Sequence, residues 1–196
     1  MDGKSRNARD ARIRAIRDDD LDDVLGIINA AAKAYRGVIP PDRWRDPYMR
    51  ADELVSERAD GVRFSGCEVG GRLVGVMGIQ SRADVDLVRH AYVLPESQGS
   101  GIGSLLLRHL GQACQRSILI GTWRAAEWAI RFYEAKGFIR VSDEDAAALL
   151  RTYWTVPDEQ IAASVVLASC PLAPDFLEKI IAAAAATSNR PASSEP

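Results

Sequence analysis

Apolar residues recur along the chain at two spacings, and the changes between them mark out its elements. Residues 12–17 (RIRAIR) predict a short strand. Asp18–Asp20 then offers three carboxylates to a helix N-terminus. Leu21, Val24, Leu25, Ile28 and Ala32 continue at helical spacing to about Tyr35, and Gly37 and Pro40–Pro41 stop them. A second helix is predicted over residues 52–59. Residues 64–68 and 73–80 read as strands around the hairpin signal Gly70–Gly71, and residues 84–93 as a long strand. Residues 102–112 are helical, with Leu105, Leu106 and Leu110 as the apolar face, and residues 117–121 (SILIG) form a short buried strand. A helix over 125–136 ends at Gly137, a C-cap glycine. A strand over 138–141 follows, then a helix over 143–152 entered through Ser142 and Asp145, a strand at 164–168 and an Ala-rich helix at 175–186.

The order is β-α-(α)-β-β-β-α-β-α-β-(α)-β. Hairpins come first and crossovers second, which predicts an α/β (α+β) mixed sheet flanked by helices, with right-handed crossovers. The expected organisation is a flexible arm at 1–11, one domain at 12–170, a C-terminal helix at 171–186 and a disordered tail at 187–196. No internal repeat is visible.

Composition narrows the function. Of 196 residues 47% are hydrophobic and 27% charged, and the net charge of -2 gives no electrostatic case for nucleic acid or an anionic membrane as partner. The longest apolar run, residues 180–186, is far short of the roughly 20 residues a bilayer needs, and residues 1–12 lack the apolar core of a secretory signal. Cys67, Cys114 and Cys170 form no CxxC pair, so a disulfide framework or zinc site is not expected and a reducing cytoplasm is. With only two histidines, no His-rich metal site can be built.

The chemistry concentrates in Gln98, Gly99, Ser100, Gly101, Ile102, Gly103 and Ser104, where a strand leaves the sheet and a helix begins. Small residues let backbone N–H groups approach a diphosphate, and the first helical turn adds unpartnered donors and a positive dipole end. A plain glycine-rich turn is one reading. A dinucleotide fold fits poorly, because Ser104 stands where GxGxxG needs glycine and the link from the strand, with Pro95, is long. No GK[ST] follows, which removes a P-loop. The third reading is a cradle for the pyrophosphate of an acyl-coenzyme A.

The run YVLPESQGSGIGSLLL resembles the QxxGxG segment of the GCN5-related N-acetyltransferase (GNAT) superfamily. A second segment about 25 residues on, AIRFYEAKGF (129–138), is similar to that family's AIxFYExxGF segment. The resemblance covers roughly residues 12–168. It implies a GNAT-like fold and acetyl-CoA as co-substrate, with no metal. It implies that the backbone of Ala91, Tyr92 and Val93 pairs with the pantetheine arm, and that Gly99 through Ser104 hold the pyrophosphate. Gln98 stands at the family's Gln/Arg position, and the resemblance makes Tyr133 the expected donor to the departing thiolate, where the residue alone reads as a packing tyrosine beside Phe132. The implied reaction is direct attack of a neutral amine on the thioester, with a backbone N–H of the 91–93 strand stabilising the oxyanion.

Two positions depart from the family pattern. Gly121 and Thr122 stand where many members carry an acid, and Ala126 where an asparagine is frequent. The usual base therefore does not carry over and the sequence does not name one; Asp84, Asp86 and His90 are the candidates that remain on the central strand. Simple alternation puts Asp84, Asp86, Val88, His90 and Tyr92 on one face and Arg89 on the other. Imidazole is the side chain suited to proton exchange near neutral pH, so His90 is carried as catalytic with Tyr133, although a buried structural histidine is at least an equal reading.

The implied acceptor cover is the proline-pinned stretch with Tyr35, Arg36, Trp44, Arg45, Tyr48 and Met49, of which Tyr35, Arg36, Trp44 and Tyr48 are the expected substrate contacts. Trp44 and Tyr48 read equally as anchors of local packing. Arg124 could meet a phosphate or simply sit at the surface. The expected activity is acetyl transfer to the primary amine of a small molecule, by a cytoplasmic protein compatible with a homodimer. The alternatives are a protein or peptide acetyltransferase and a non-catalytic acyl-CoA-binding module.

Overall fold

The computed structural model describes residues 10–154 and 156–188, with side chains described to residue 184. The chain divides into two compact units, one ending at Ile118 and one beginning at Leu119. Of the expected tail at 187–196, residues 187–188 instead close the last helix, and residues 189–196 lie outside the described residues, as does most of the arm.

The first unit runs β1 (Arg12–Ala15), α1 (Leu21–Ala32), α2 (Ala51–Ala59), β2 (Val62–Val69), β3 (Arg72–Ser81), β4 (Val85–Val93) and α3 (Ile102–Ala113). The strands lie in the order β1-β2-β3-β4, each antiparallel to the next. The β2–β3 turn uses Gly70 and Gly71 at φ +59° and +77°, the pair of left-handed residues that a tight hairpin demands. Helix α1 buries Val24, Ile27, Ile28, Ala31 and Ala32, the expected stripe with its register slightly turned.

Asp18–Asp20 does not cap α1 in the expected way. It forms a 3-10 turn, and Asp20 reaches back instead. Its carboxylate accepts from the Arg17 N–H at 2.8 Å and from Arg14 at 2.6 and 2.8 Å. Arg14 also holds Glu68 at 2.9 Å, so one guanidinium ties β1 to β2 and to the entry of α1.

Helix α3 packs on the sheet through Ile102, Leu106, Leu107 and Leu110. The close approach is made at Gly75. A Cβ there would stand 2.8 Å from Ile102 and 3.3 Å from both Leu106 and Val93.

The second unit holds β5 (Ser117–Trp123, which begins at the division), α4 (Glu127–Glu134), β6 (Ile139–Arg140), α5 (Asp143–Tyr153), α6 (Asp158–Ala162), β7 (Ser164–Ala168) and α7 (Pro174–Ser188). β7 lies antiparallel between β5 and β6. Gly137 at φ +86° ends α4, with the Phe138 N–H returning to the Tyr133 carbonyl at 3.1 Å. Ser142 caps α5 by accepting from the Asp145 N–H at 3.1 Å. The short helix α6 has no counterpart in the hydrophobic pattern.

Candidate functional site

The loop after β4 has the geometry its composition predicts. Gly99 and Gly101 sit at φ +73° and +90°, where side chains are strained, and Gly99 opens onto empty space. Ser100 donates to the Ser97 carbonyl at 2.5 Å, and the Gln98 amide donates to the Val93 carbonyl at 3.1 Å. These two contacts fold the loop back on the strand end and carry the chain into α3 at Ile102. The first-turn N–H groups of α3, including those of Gly103 and Ser104, have no carbonyl one turn behind them to bond. Glycine φ values, open space at Gly99 and free donors on a helix end fit a pyrophosphate. Gln98 itself serves the loop's shape.

Upstream, β4 is not a regular strand. Val76 pairs with Tyr92, but Gly78 pairs with Arg89, so Met77 faces two residues, His90 and Ala91. His90 takes φ +52°, the one non-glycine residue at positive φ among the described residues. This is a bulge with its left-handed position filled by histidine. The alternation expected for the strand therefore fails at the bulge. Arg89 and His90 are consecutive, yet both contact Glu57 of α2.

The contacts form a short buried chain. Arg89 donates to Glu57 Oε1 at 2.7 Å and to Gln80 Oε1 at 2.8 Å, and the Gln80 amide donates to the Asp60 carbonyl at 2.9 Å. His90 Nε2 lies 3.1 Å from Glu57 Oε2. Neither of these two atoms touches solvent, and neither makes an aligned hydrogen bond among the described residues, so the pair is a close buried contact of carboxylate and imidazole. The His90 ring stacks on Phe64 at 5.8 Å. Burial pushes the Glu57 carboxyl up, but His90 and Arg89 outweigh it and hold it below its ordinary value. Burial pulls the Arg89 guanidinium down, against Glu57.

Glu57 was not among the candidates. It stands three residues after the buried Leu54 on α2, so helical spacing alone places it on the inward face. The other strand acids do not join the group. Asp84 is exposed ahead of β4, and Asp86 is buried against Arg116 at 3.2 Å. His109 is exposed on α3.

The stretch between α1 and α2 brings the expected acceptor residues to β4. Tyr48 stacks on Tyr35 at 6.2 Å, touches Trp44 at 5.6 Å and meets the edge of Tyr92 at 6.4 Å. Asn29 pins the end of this stretch, accepting from the Met49 N–H at 2.8 Å and donating to its carbonyl at 3.0 Å. Arg45 is taken up by Glu53 and the Tyr48 carbonyl. Arg36 is exposed beside Tyr35.

In the second unit Tyr133 is buried on α4, its ring edge-on to Phe132 at 5.0 Å and to Phe138 at 5.9 Å. Gly121 on β5 now has a reason. A Cβ there would lie 3.3 Å from the Trp154 indole and 3.4 Å from Leu150, so the room beside Gly121 is occupied by Trp154. Arg124 is held by Asp143 at 3.2 Å and by the Ser164 carbonyl at 3.3 Å, a fold contact. Burial raises the Cys67 thiol, and burial with the nearby Asp86 pushes Cys114 up to about 11, so neither is a ready thiolate nucleophile. Among the described residues no His, Cys, Asp or Glu cluster could hold a metal, and no helix is long and apolar enough to cross a membrane.

The acetyltransferase (GNAT) domain family matches residues 60–140, from β2 through the Tyr133 segment. No curated protein matches the sequence. The PaiA N-acetyltransferase of Thermoplasma acidophilum, crystallised with coenzyme A, superposes with a TM-score of 0.64 at 17% identity, over 82% of this chain and 99% of its own. A GNAT-family acetyltransferase of Staphylococcus aureus gives 0.62 at 16% identity, over 82% and 99%. The ribosomal-protein-S18-alanine N-acetyltransferase of Escherichia coli gives 0.58 at 17%, over 84% and 97%. The fold is the one expected from the element order.

Proposed function

We propose that this chain is a GNAT-type acetyltransferase that moves the acetyl group of acetyl-CoA to the primary amine of a small molecule, a reading supported by its fold and by the domain match over residues 60–140. The observation that carries the reading is the sequence of features along one segment: a bulge with a histidine, the end of β4, and a turn of left-handed glycines that opens a helix. When bound, acetyl-CoA supplies an activated thioester. Gly99 through Ser104 hold its pyrophosphate, and the backbone of Ala91–Val93 aligns the arm that carries the thioester. N–H groups of that strand end oppose the charge that grows on the carbonyl oxygen.

His90 takes the proton of the attacking amine. Its position on the bulge, one residue ahead of Ala91, supports this, and so does Trp154, which occupies the room beside Gly121 where many relatives keep their acid. Tyr133 donates to the departing thiolate, a role that rests on its place in the AIRFYEAKGF segment.

The acceptor wall is Tyr35, Trp44, Tyr48 and Tyr92, with Arg36 at its edge. An aromatic wall of this kind suits a small amine with an apolar or aromatic body, and Arg36 suits a carboxylate on it. The S18-alanine acetyltransferase is a neighbour that acts on a protein, so peptides belong in the test. Cys67, Cys114 and Cys170 form no disulfide with one another, which suits a reducing cytoplasm.

The test is coenzyme A thiol release with acetyl-CoA against amino acids, amino-sugars, aryl-alkyl amines and peptides with free N-termini. The highest kcat/KM is expected on a small amine and to fall in Arg36→Ala or Tyr48→Ala. A peptide preferred over every small amine would overturn the acceptor class. Tight acetyl-CoA binding without release on any amine would overturn catalysis.

A further inference from the structure

We infer that Glu57 is a positioning residue for the reaction: it fixes His90 as the Nε2–H tautomer and so leaves Nδ1 as the nitrogen that accepts the proton from the amine. This rests on the reading of His90 as the base.

The argument begins with the carboxylate. Glu57 Oε1 is taken by Arg89 at 2.7 Å, which leaves Oε2 to face Nε2 at 3.1 Å. An ionised carboxylate only accepts, so the nitrogen opposite it must carry hydrogen. A neutral imidazole has one N–H, and with that proton on Nε2 the lone pair is on Nδ1. The remaining exposure of the His90 side chain lies away from the sealed Nε2.

The surroundings hold this arrangement from each side. Arg89 cannot leave Glu57 for another acid without breaking from Gln80, which is anchored in turn on the Asp60 carbonyl. Phe64 of β2 stacks on the ring and limits its rotation. The left-handed backbone at residue 90 puts Arg89 and His90 on the same carboxylate, which a regular strand cannot do. The charged groups around the pair are Arg89 on β4, Arg82 ahead of β4 and Asp60 after α2. When Nδ1 gains the amine's proton, the imidazolium faces Glu57 and its charge is met in place. No atom leaves or joins the enzyme, because the proton passes on to solvent after transfer.

The experiment is a long-range 1H–15N spectrum of the imidazoles. The chain has two histidines, and the exposed His109 serves as the internal reference. At high pH, where imidazoles are neutral, His90 in the wild-type protein is expected as the Nε2–H tautomer alone, while His109 is expected to show both tautomers. In Glu57→Gln, whose amide can donate as well as accept, His90 is expected to show both tautomers. Its kcat should fall about 10- to 100-fold with the KM for acetyl-CoA unchanged. An Nδ1–H tautomer in the wild-type protein overturns the inference with no variant needed. So does Glu57→Gln with unchanged tautomer and kcat while His90→Gln is slow. If His90→Gln keeps full kcat, the base itself was misassigned, and that failure is separate.

Discussion

Arg89 and His90 are neighbours in β4 and both reach one carboxylate, that of Glu57, at 2.7 and 3.1 Å. In a regular strand they would point to opposite faces. The bulge opposite Met77 removes that alternation and converts a strand into a site.

The cradle can be tested without disturbing the backbone. Gly101 at φ +90° is a poor target, since any side chain there adds strain. Ser104 is in the first turn of α3 and already carries a side chain. Ser104→Glu puts a negative charge among the donors, while an acid at a helix N-terminus keeps or improves helix stability. Calorimetry should show coenzyme A affinity down at least about 100-fold with Tm held or raised. Unchanged affinity would remove the loop assignment.

Gly75 couples the sheet to that helix. Gly75→Ala drives a methyl into Ile102, the first residue of α3, and should cost about 1–3 kcal/mol by overpacking. Because Ile102 opens the cradle helix, the Kd for coenzyme A should rise as well. Thermal melts and calorimetry on the same variant read both. A stability loss with unaltered Kd would mean that α3 moves without its first turn.

Tyr133→Phe keeps the ring between Phe132 and Phe138 and removes only the hydroxyl. Steady-state kinetics should show kcat lower by roughly 100-fold, with Tm within a few degrees of wild type. Equal kcat would leave Tyr133 as a packing residue.

The first unit was largely legible because its signals are local. Gly70–Gly71, the long apolar strands and the glycine loop each act over a few residues, and their positions agree with the structure. The bulge was not legible. It depends on which residue of β3 pairs with which of β4, and nothing in VDLVRHAYV announces a skipped partner. Glu57 was missed for the same reason, since its meaning comes from a contact 33 residues away. Trp154 explains Gly121 only after α5 is folded against β5. Residues that close a distant gap carry little trace of it in their own neighbourhood.

Asp20 gives a pH test of the fold. Hydrogen bonds from Arg14, and then the Arg17 N–H, hold its carboxyl well below the usual carboxylate range. A depressed folded value stabilises the protein above the unfolded value of about 3.9 and is lost as pH falls through the folded one. Asp20→Asn should therefore cost about 1–2 kcal/mol near neutral pH. The Tm gap to wild type should narrow as pH drops from about 5 toward 2, within the window those values define. A gap that stays constant would place the cost in packing and not in charge.

The last prediction separates strain from chemistry at His90. A non-glycine residue at φ +52° carries roughly 1–2 kcal/mol of backbone strain. His90→Ala and His90→Gly both lose the ring, its stacking on Phe64 and the partner of Glu57 Oε2, so those losses cancel between them. What differs is the strain, which alanine keeps and glycine relieves. In a regular strand glycine is the worse of the two by about 0.5–1 kcal/mol. Here the order should reverse, with His90→Gly melting above His90→Ala, while both lose kcat to the same degree. If alanine proves the more stable, the bulge has relaxed once the imidazole is gone, and it is the contact with Glu57 that holds β4 out of register.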